Sequence, residues 1–272
     1  MSARPLTNSE LYAQAPSIFA DKPIEGVSDR YNFVPTHSIL DTFRKEGYYP
    51  IMAGESKVRN QENFGYQKHI IQFRSMDNLL RPESNTEYAD IVLTNSHNRT
   101  SSFVLDLAYW RIVCQNMLVV PSHSFQHHSI IHSGFQDHKI GTAINEVVSF
   151  MPAMEEKIEL FKSIILSPVE QRSLAKAAID IRFDTDVHHI AEDELLQIHR
   201  IEDEDPTLWN VFNRVQESII GGGIRGYNRH SGRNITSKAI TAIDTRLKLN
   251  KELWSVTDMI ASYKESAMAI AA

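Results

Sequence analysis

The sequence predicts an α+β protein: an antiparallel β-meander packed on a long helix, with a helical C-terminal part. Two observations support this fold class. Short segments rich in Val, Ile, Tyr and Phe, bounded by Gly, Asn, Ser and Pro, follow one another between residues 48 and 132. From residue 141 onward, apolar residues instead recur every three or four positions, as in amphipathic helices. The short connections between the strand-like segments favour antiparallel pairing over βαβ units.

The first half reads as an arm, one helix and then strands. Residues 1–35 form an irregular arm with one short helical pattern near Asn8. A helix over residues 39–46 is expected to begin after a cap at Thr36 or Ser38 and to end at Gly47. The predicted strands cover residues 48–52, 69–74, 90–94, 102–107, 110–120 and 129–132.

The second half reads as helices. One long amphipathic helix is expected over residues 141–165, with a kink at Pro152, which lacks an N–H. Ser167 and Glu170 have the spacing of a capping box and begin a helix that ends near residue 182. Further helices are expected over 207–220 and from about 236 past 259, with a break near Asn250. We therefore expect three parts: an arm (1–35), an α+β core (36–183), and an acidic linker with a helical part and a basic loop (184–272).

Composition restricts the class of protein. The chain has 272 residues, 42% of them hydrophobic, and a formal net charge of −6, so it is not basic overall as many nucleic-acid binders are. Its single cysteine, Cys114, cannot form an intrachain disulfide and fits a reducing compartment. No apolar run approaches the roughly 20 residues of a membrane span, and the N-terminus lacks a signal-peptide pattern. These features predict a cytoplasmic protein without a membrane partner.

Polar residues are concentrated beside the predicted strands. This set comprises Asn95, Ser96, His97, Arg111 and Asn116. Buried polar groups are costly unless each has a partner, so the set forms either a structural network or a binding site. We predict a network that joins two strands, with an unknown role.

Metal binding and catalysis by the same region are weaker alternatives. His69, His97, His132 and Cys114 have suitable zinc-ligand chemistry, but no two of them have a tight ligand spacing. Cys114 lies in an apolar run, and nothing in the sequence lowers its pKa, so we expect a buried, unreactive thiol. The prediction therefore includes no metal, no cofactor and no catalytic residue.

Charge is uneven in the last third of the chain. Residues 184–205 are strongly acidic, and the basic segment that follows begins with three consecutive glycines. Arginine and aromatic side chains on a flexible loop suit a phosphate backbone and unstacked bases. The candidate nucleic-acid-binding residues are Arg225, Tyr227, Arg229, Arg233 and Lys238, joined by Lys68 and Arg74, which share one face of a predicted strand. The alternative is that the basic loop pairs with the acidic segment.

Several motifs occur in an order that resembles a known family. They are Ala15-Pro16-Ser17-Ile18-Phe19-Ala20, Ser28-Asp29-Arg30-Tyr31, Val34-Pro35-Thr36, Glu46-Gly47-Tyr48, the segments 68–74, 95–97 and 111–116, and, near the end, the segments 241–244 and 249–254. Together they resemble the phage- and plasmid-encoded proteins grouped as domain of unknown function 932. The chain departs from the family at Asn98-Arg99 and at Met117, where the family tends to have glycine-containing pairs. The resemblance implies a mobile-element setting and supplies no mechanism.

The predicted function is a single-stranded nucleic-acid binding or annealing protein of a phage or plasmid, with single-stranded DNA as partner and a homo-oligomeric assembly. A meander backed by a long helix is also the plan of annealing proteins of the Rad-fifty-two type, which is a likeness of fold alone. One alternative is an anti-defence (antirestriction) protein that binds a host enzyme through its acidic run. The other is an enzyme that uses Asn95, His97 and Arg111 with Cys114.

Overall fold

A computed structural model describes residues 4–27, 31, 33–81, 87–111, 117–119, 128–130 and 137–271. The chain divides into two compact units, residues 1–151 and 152–272. The first contains a six-stranded antiparallel sheet with helices, and the second is mainly helical with a three-stranded sheet. The α+β class is therefore confirmed. The division falls after Met151, whereas the sequence placed the end of the core near residue 183.

The sheet of the first unit is the predicted meander. Strands β1 to β5 pair in chain order, and each pair is antiparallel. Strand β6 pairs with the first residues of β4, whereas β5 pairs further along the same strand. The strands are β1 (Tyr48–Glu55), β2 (His69–Ser75), β3 (Glu87–Asn95), β4 (Phe103–Arg111), β5 (Met117–Val119) and β6 (His128–Ile130).

Two helices cover one face of this sheet. Helix α2 (Thr36–Lys45) contacts β1 and α4 (Asp137–Ser149), which in turn contacts β4. Phe43 of α2 stacks on Phe73 of β2 with ring centroids 3.8 Å apart. Residue alternation places Ile71 and His69 on the same face as Phe73, so one end of an otherwise apolar layer is polar. A short helix, α3 (Met76–Leu80), follows β2.

The N-terminal segment packs along the edge strand β1. Helix α1 (Asn8–Gln14) carries a capping box made by Thr7 and Glu10. Leu11 and Ile18 are fully buried, and the Leu6 amide donates to the Pro50 carbonyl at 2.7 Å. The predicted arm is therefore part of the core of the first unit, because it buries apolar side chains and pairs with the edge of the sheet.

The second unit is built from helices around Trp254. Its helices are α5 (Met151–Ser163), α6 (Pro168–Arg182), α7 (Leu208–Gly221) and α8 (Ile243–Ala271). The Trp254 ring lies 5.1 Å from Phe161 and 6.2 Å from Phe212 between centroids. The predicted capping box of Ser167 and Glu170 is present at the start of α6. A small sheet pairs β7 (His188–His189), β8 (Arg225–Asn228) and β9 (Asn234–Thr236).

Two predicted helices differ from the structure. The helix expected over 141–165 is two helices, α4 and α5, separated at Phe150. Pro152 has no N–H to continue the ladder, and this explains the interruption. The last helix begins at Ile243 instead of residue 236, because residues 234–236 form β9. It runs unbroken through Asn250, whose side chain donates to the Arg246 carbonyl at 3.0 Å.

Among the described residues, no helix combines the length and apolar character needed to cross a membrane.

Candidate functional site

The first candidate region is a buried polar centre where α2, β2 and β3 meet. It consists of Ser17, Thr36, His69, Asn95 and His97, each 0% exposed. Asn95 pairs with His69 in the strand register, so both side chains lie on the face that α2 covers. The predicted cap at Thr36 or Ser38 is absent: Pro35 precedes α2 and no side chain caps it. The Thr36 hydroxyl instead turns toward the sheet.

Hydrogen-bond chemistry assigns the protons of this centre. His69 Nδ1 lies 3.2 Å from the Gln67 carbonyl, which only accepts, so Nδ1 carries the proton. His69 Nε2 is then an acceptor, and the Thr36 hydroxyl donates to it at 2.8 Å. Asn95 Nδ2 donates back to Thr36 Oγ1 at 2.9 Å. His97 Nε2, 3.4 Å from the same oxygen, donates into its remaining lone pair.

The polar centre holds His69 in its neutral form. Burial lowers the pKa of His69 to about 4, because a charged imidazole is poorly solvated there. Ser17 Oγ lies 3.1 Å from His69 Nδ1, and its amide donates to Glu55 at 3.0 Å. The centre thus ties the N-terminal segment to α2 and the sheet. Asn95, Ser96 and His97 lie together as predicted, and their enclosure indicates a structural role.

The strand register separates the remaining predicted strand residues from this centre. Lys68 and Arg74 lie on the opposite face of β2 from His69, so no joint groove of Arg, Lys, Asn and His forms. Arg74 is 2% exposed, and its Nε and Nη2 donate to the two carboxylate oxygens of Asp90 at 2.8 and 2.7 Å. Burial raises the pKa of Asp90, and Arg74 opposes this. Arg74 is therefore engaged in hydrogen bonds inside the protein and does not face solvent.

Other predicted positions lie at the edge of the described residues or outside them. Arg111 ends β4 opposite Glu87. Asn116, Cys114 and His132 lie outside the described residues, so their roles stay predictions. Within the described ranges, no three His, Cys, Asp or Glu side chains come together as a metal site requires.

The second candidate region is the exposed face of the small sheet in the second unit. The register places Tyr227 between His189 and Asn234, and Arg225 opposite Thr236. These five residues share one side of the sheet and line a groove of about 470 Å³. We call them the hairpin face. The Tyr227 and His189 rings lie 4.8 Å apart, and Tyr227 is 41% exposed.

Glu194 holds the arginine of the hairpin face. It accepts from Arg225 Nε at 3.3 Å, from Nη2 at 3.0 Å and from the Arg225 amide at 3.0 Å. This arrangement lowers the pKa of Glu194, chiefly through the side-chain hydrogen bond. The Arg225 side chain nevertheless stays 72% exposed. One part of the basic segment therefore pairs with the acidic segment, as the alternative interpretation expected.

The other basic residues differ in how freely they face solvent. Arg229 donates to the Thr185 carbonyl at 2.9 Å and lies 3.3 Å from His189 Nδ1, so it braces β7. Arg233 and Lys238 are exposed. Arg225 and Arg229 are exposed as well, although both are engaged in hydrogen bonds within the unit.

The glycines of this region permit close backbone approach. A Cβ on Gly226 would lie 2.3 Å from the His189 carbonyl oxygen, so only glycine lets β7 and β8 pair here. A Cβ on Gly222 would lie 2.5 Å from the Ala239 amide. Asn228 Oδ1 accepts from the amides of His230 and Ser231 at 3.0 and 2.9 Å. The segment predicted as a flexible glycine loop is therefore an ordered hairpin.

Sequence reasoning missed several residues of both regions. Thr36 was assigned to a helix cap, and Ser17 was considered only within a family motif. His189 and Glu194 gave no periodic signal, because they meet Tyr227 and Arg225 through contacts between segments that are distant in sequence. The His188-His189 pair beside an acidic run was the available sign.

These observations define an α+β protein with an enclosed polar centre in one unit and an exposed aromatic and basic hairpin in the other. The chain belongs to the family described as Domain of unknown function (DUF932), whose model matches residues 23–254. It is 35% identical over 257 residues to UPF0380 protein YfjQ and equally to UPF0380 protein YafZ, both of Escherichia coli strain K12. Each match covers 94% of this chain and 92% of the relative.

The family resemblance is therefore confirmed. No solved structure matches the chain significantly, and the likeness to annealing folds stays a prediction.

Thr36→Val should destabilise the first unit. Valine keeps the shape but leaves His69 Nε2 and the Asn95 amide without the hydroxyl, at a cost of about 3 kcal/mol in unfolding free energy for two orphaned buried groups. Urea unfolding followed by hydrogen exchange of peptides from β2 and β3 measures this. Thr42→Val, the same change elsewhere on α2, is the control and should cost far less. Equal costs would contradict the proton assignment.

The stability of the first unit should fall as pH drops from about 6.5 to about 4. Unfolded His69 takes up a proton near its ordinary pKa, whereas the native residue does so only near pH 4. Its contribution is complete above the unfolded pKa, and full loss amounts to roughly 3 kcal/mol. Unfolding at several pH values should show a shallower slope for His69→Gln than for the wild type or for His230→Gln, which changes an exposed histidine. Identical slopes would show that His69 is not the group responsible.

Proposed function

We propose that this protein binds single-stranded nucleic acid on the hairpin face. The observation that supports the proposal is the row of half-buried His189 and exposed Tyr227 and Asn234 across three strands, with Arg225 beside it. Aromatic side chains on an open sheet stack on unpaired bases, and each stacked base contributes about 1–3 kcal/mol. An amide reads base edges, and a guanidinium binds phosphate.

The charge of the region fits a strand that crosses the sheet and continues along the hairpin. Arg225 lies beside the row, opposite Thr236, and Arg233 and Lys238 are exposed on either side of β9. Nucleic acid must compete with Glu194 for Arg225, because carboxylate and phosphate bind the same guanidinium edge. Binding therefore depends on salt and is weaker than it would be without Glu194.

The two other functions considered have less support. Part of the acidic run is engaged within the unit: Asp193 pairs with Arg172, Glu194 pairs with Arg225, and Asp203 is 1% exposed. A surface that imitates DNA needs its carboxylates outward, and only the remaining exposed ones, Asp184, Asp186, Glu202, Glu204 and Asp205, meet that need freely. The enzyme alternative relied on Asn95 and His97, which are completely enclosed.

We also propose that the protein self-associates, as an annealing protein that holds a long strand would. The apolar face of the predicted long helix is not available for this contact at Met154, which is 0% exposed. Helix α8 offers a different surface: Met259, Tyr263 and Ile270 recur on one side and are 72%, 74% and 87% exposed. Closed homo-oligomers arise when such a surface meets its copy.

Binding should require the Tyr227 ring. Tyr227→Ala should weaken the affinity for a short labelled oligothymidylate by about tenfold, since one stacked base is lost, and Tyr227→Phe should keep it. Arg233→Gln should reduce the salt slope by about 0.7 for one lost phosphate contact, whereas Arg59→Gln removes an exposed charge from the first unit and should change neither quantity. Fluorescence anisotropy over a salt series measures both. Unchanged affinity in Tyr227→Ala with an unchanged slope in Arg233→Gln would overturn the proposal.

Self-association should depend on the exposed side of α8. Light scattering of the wild type should give a multiple of the 31.0 kDa chain mass, and Met259→Glu with Tyr263→Glu should reduce it to that mass, because charge opposes burial of the surface. Ser262→Glu places the same charge on a neighbouring position and is the control. A wild type that stays monomeric with and without oligonucleotide would refute the assembly.

A further inference from the structure

We propose that a second cavity beside the hairpin face is a nucleotide subsite that prefers ribonucleotides. The inference rests on the proposed function and adds the class of nucleic acid. The cavity has a volume of about 370 Å³, which lies at the lower end of the roughly 300–1,000 Å³ typical of small-molecule sites. Its polar lining side chains are Glu194, Gln197, His199, Glu217, Ser218 and Arg225.

The cavity adjoins the groove of the hairpin face. Glu194 and Arg225 line both spaces. A strand whose base stacks on Tyr227 therefore reaches Arg225 with its next phosphate and enters the second cavity with the nucleotide that follows. Among the described residues that line the cavity, Arg225 alone carries a permanent positive charge, and its guanidinium is exposed.

The backbone of the glycine segment does not make this cavity a phosphate site. The Gly222 amide donates to the Ser218 carbonyl at 3.1 Å, and the Gly223 amide to the Ser237 carbonyl at 2.9 Å. The Ile224 amide donates to Ser237 Oγ at 3.1 Å. Because these donors are occupied within the protein, the cavity suits the sugar and base of a nucleotide.

The acceptors of the cavity select for hydroxyl donors. Both oxygens of Glu217 accept from Arg200. A carboxylate oxygen accepts more than one hydrogen bond, so Glu217, which lines the cavity together with Glu194, retains acceptor sites. The 2′-hydroxyl of ribose supplies a donor that deoxyribose lacks. A ribonucleotide can therefore donate a hydrogen bond to these carboxylates from its 2′-hydroxyl, and a deoxyribonucleotide cannot.

The test compares oligouridylate with oligodeoxyuridylate, which differ only in the 2′-hydroxyl. The wild type should bind the ribo form about tenfold more tightly, as expected for one hydrogen bond to a charged group. Glu217→Gln should reduce this ratio toward one.

Gly221→Gln provides a second route, because a Cβ at Gly221 meets no atom within 4 Å and the longer side chain fills the cavity. It should also abolish the preference, whereas Ala242→Gln, on an exposed position outside the cavity, should retain it.

The outcomes separate the subsite from the proposed function. Tyr227→Ala should weaken both oligonucleotides equally. Equal affinity of the wild type for the two forms, with Tyr227 still required, would overturn the subsite and leave the hairpin face intact. Absence of binding to either form would overturn both. If folded Gly221→Gln protein still prefers the ribo form, the preference arises in another part of the protein and the subsite is overturned.

Discussion

Thr36 joins three elements of the first unit through one hydroxyl group. Its oxygen donates to His69 on β2 and accepts from Asn95 on β3, while the residue itself begins α2. A hydroxyl has one donor and two acceptor sites, and with His97 all three are used. The position of α2 on the sheet thus depends on a saturated polar contact at one end and on apolar stacking, such as Phe43 on Phe73, along the rest.

The pleat of the sheet separates two kinds of buried polar chemistry. The face that α2 covers holds a neutral centre around His69, whereas the opposite face holds the ion pair of Arg74 and Asp90. Burial lowers the pKa of His69, because a charged imidazole is poorly solvated there. The second face keeps charge because a bidentate arginine offsets the desolvation of Asp90. Both arrangements use the polar residues to hold the fold.

The second unit presents its chemistry outward instead. Gly226 permits β8 to approach β7 closely, and Asn228 orders the turn that follows. This brings His189 beside Tyr227, a contact between residues far apart in sequence. Glu194 then holds Arg225 beside this row, between the two cavities. Under the proposed function, an ordered surface of this kind would lower the entropic cost of binding, because its side chains are already in place.

The sequence by itself determined the α+β class, the meander, the capping box at Ser167 and the family, because these depend on local periodicity, on cap chemistry and on motif order. It also identified Asn95, Ser96 and His97 as a polar group and Tyr227 with its arginines as a basic one. Only the tertiary structure decided the partners of these residues. The local sequence predicts a helix cap at Thr36, but its hydroxyl is hydrogen-bonded to His69. The local sequence predicts a surface charge at Arg74, but its side chain pairs with Asp90. Strand register and close backbone approach set these choices, and they arise from pairing between segments that no local pattern encodes.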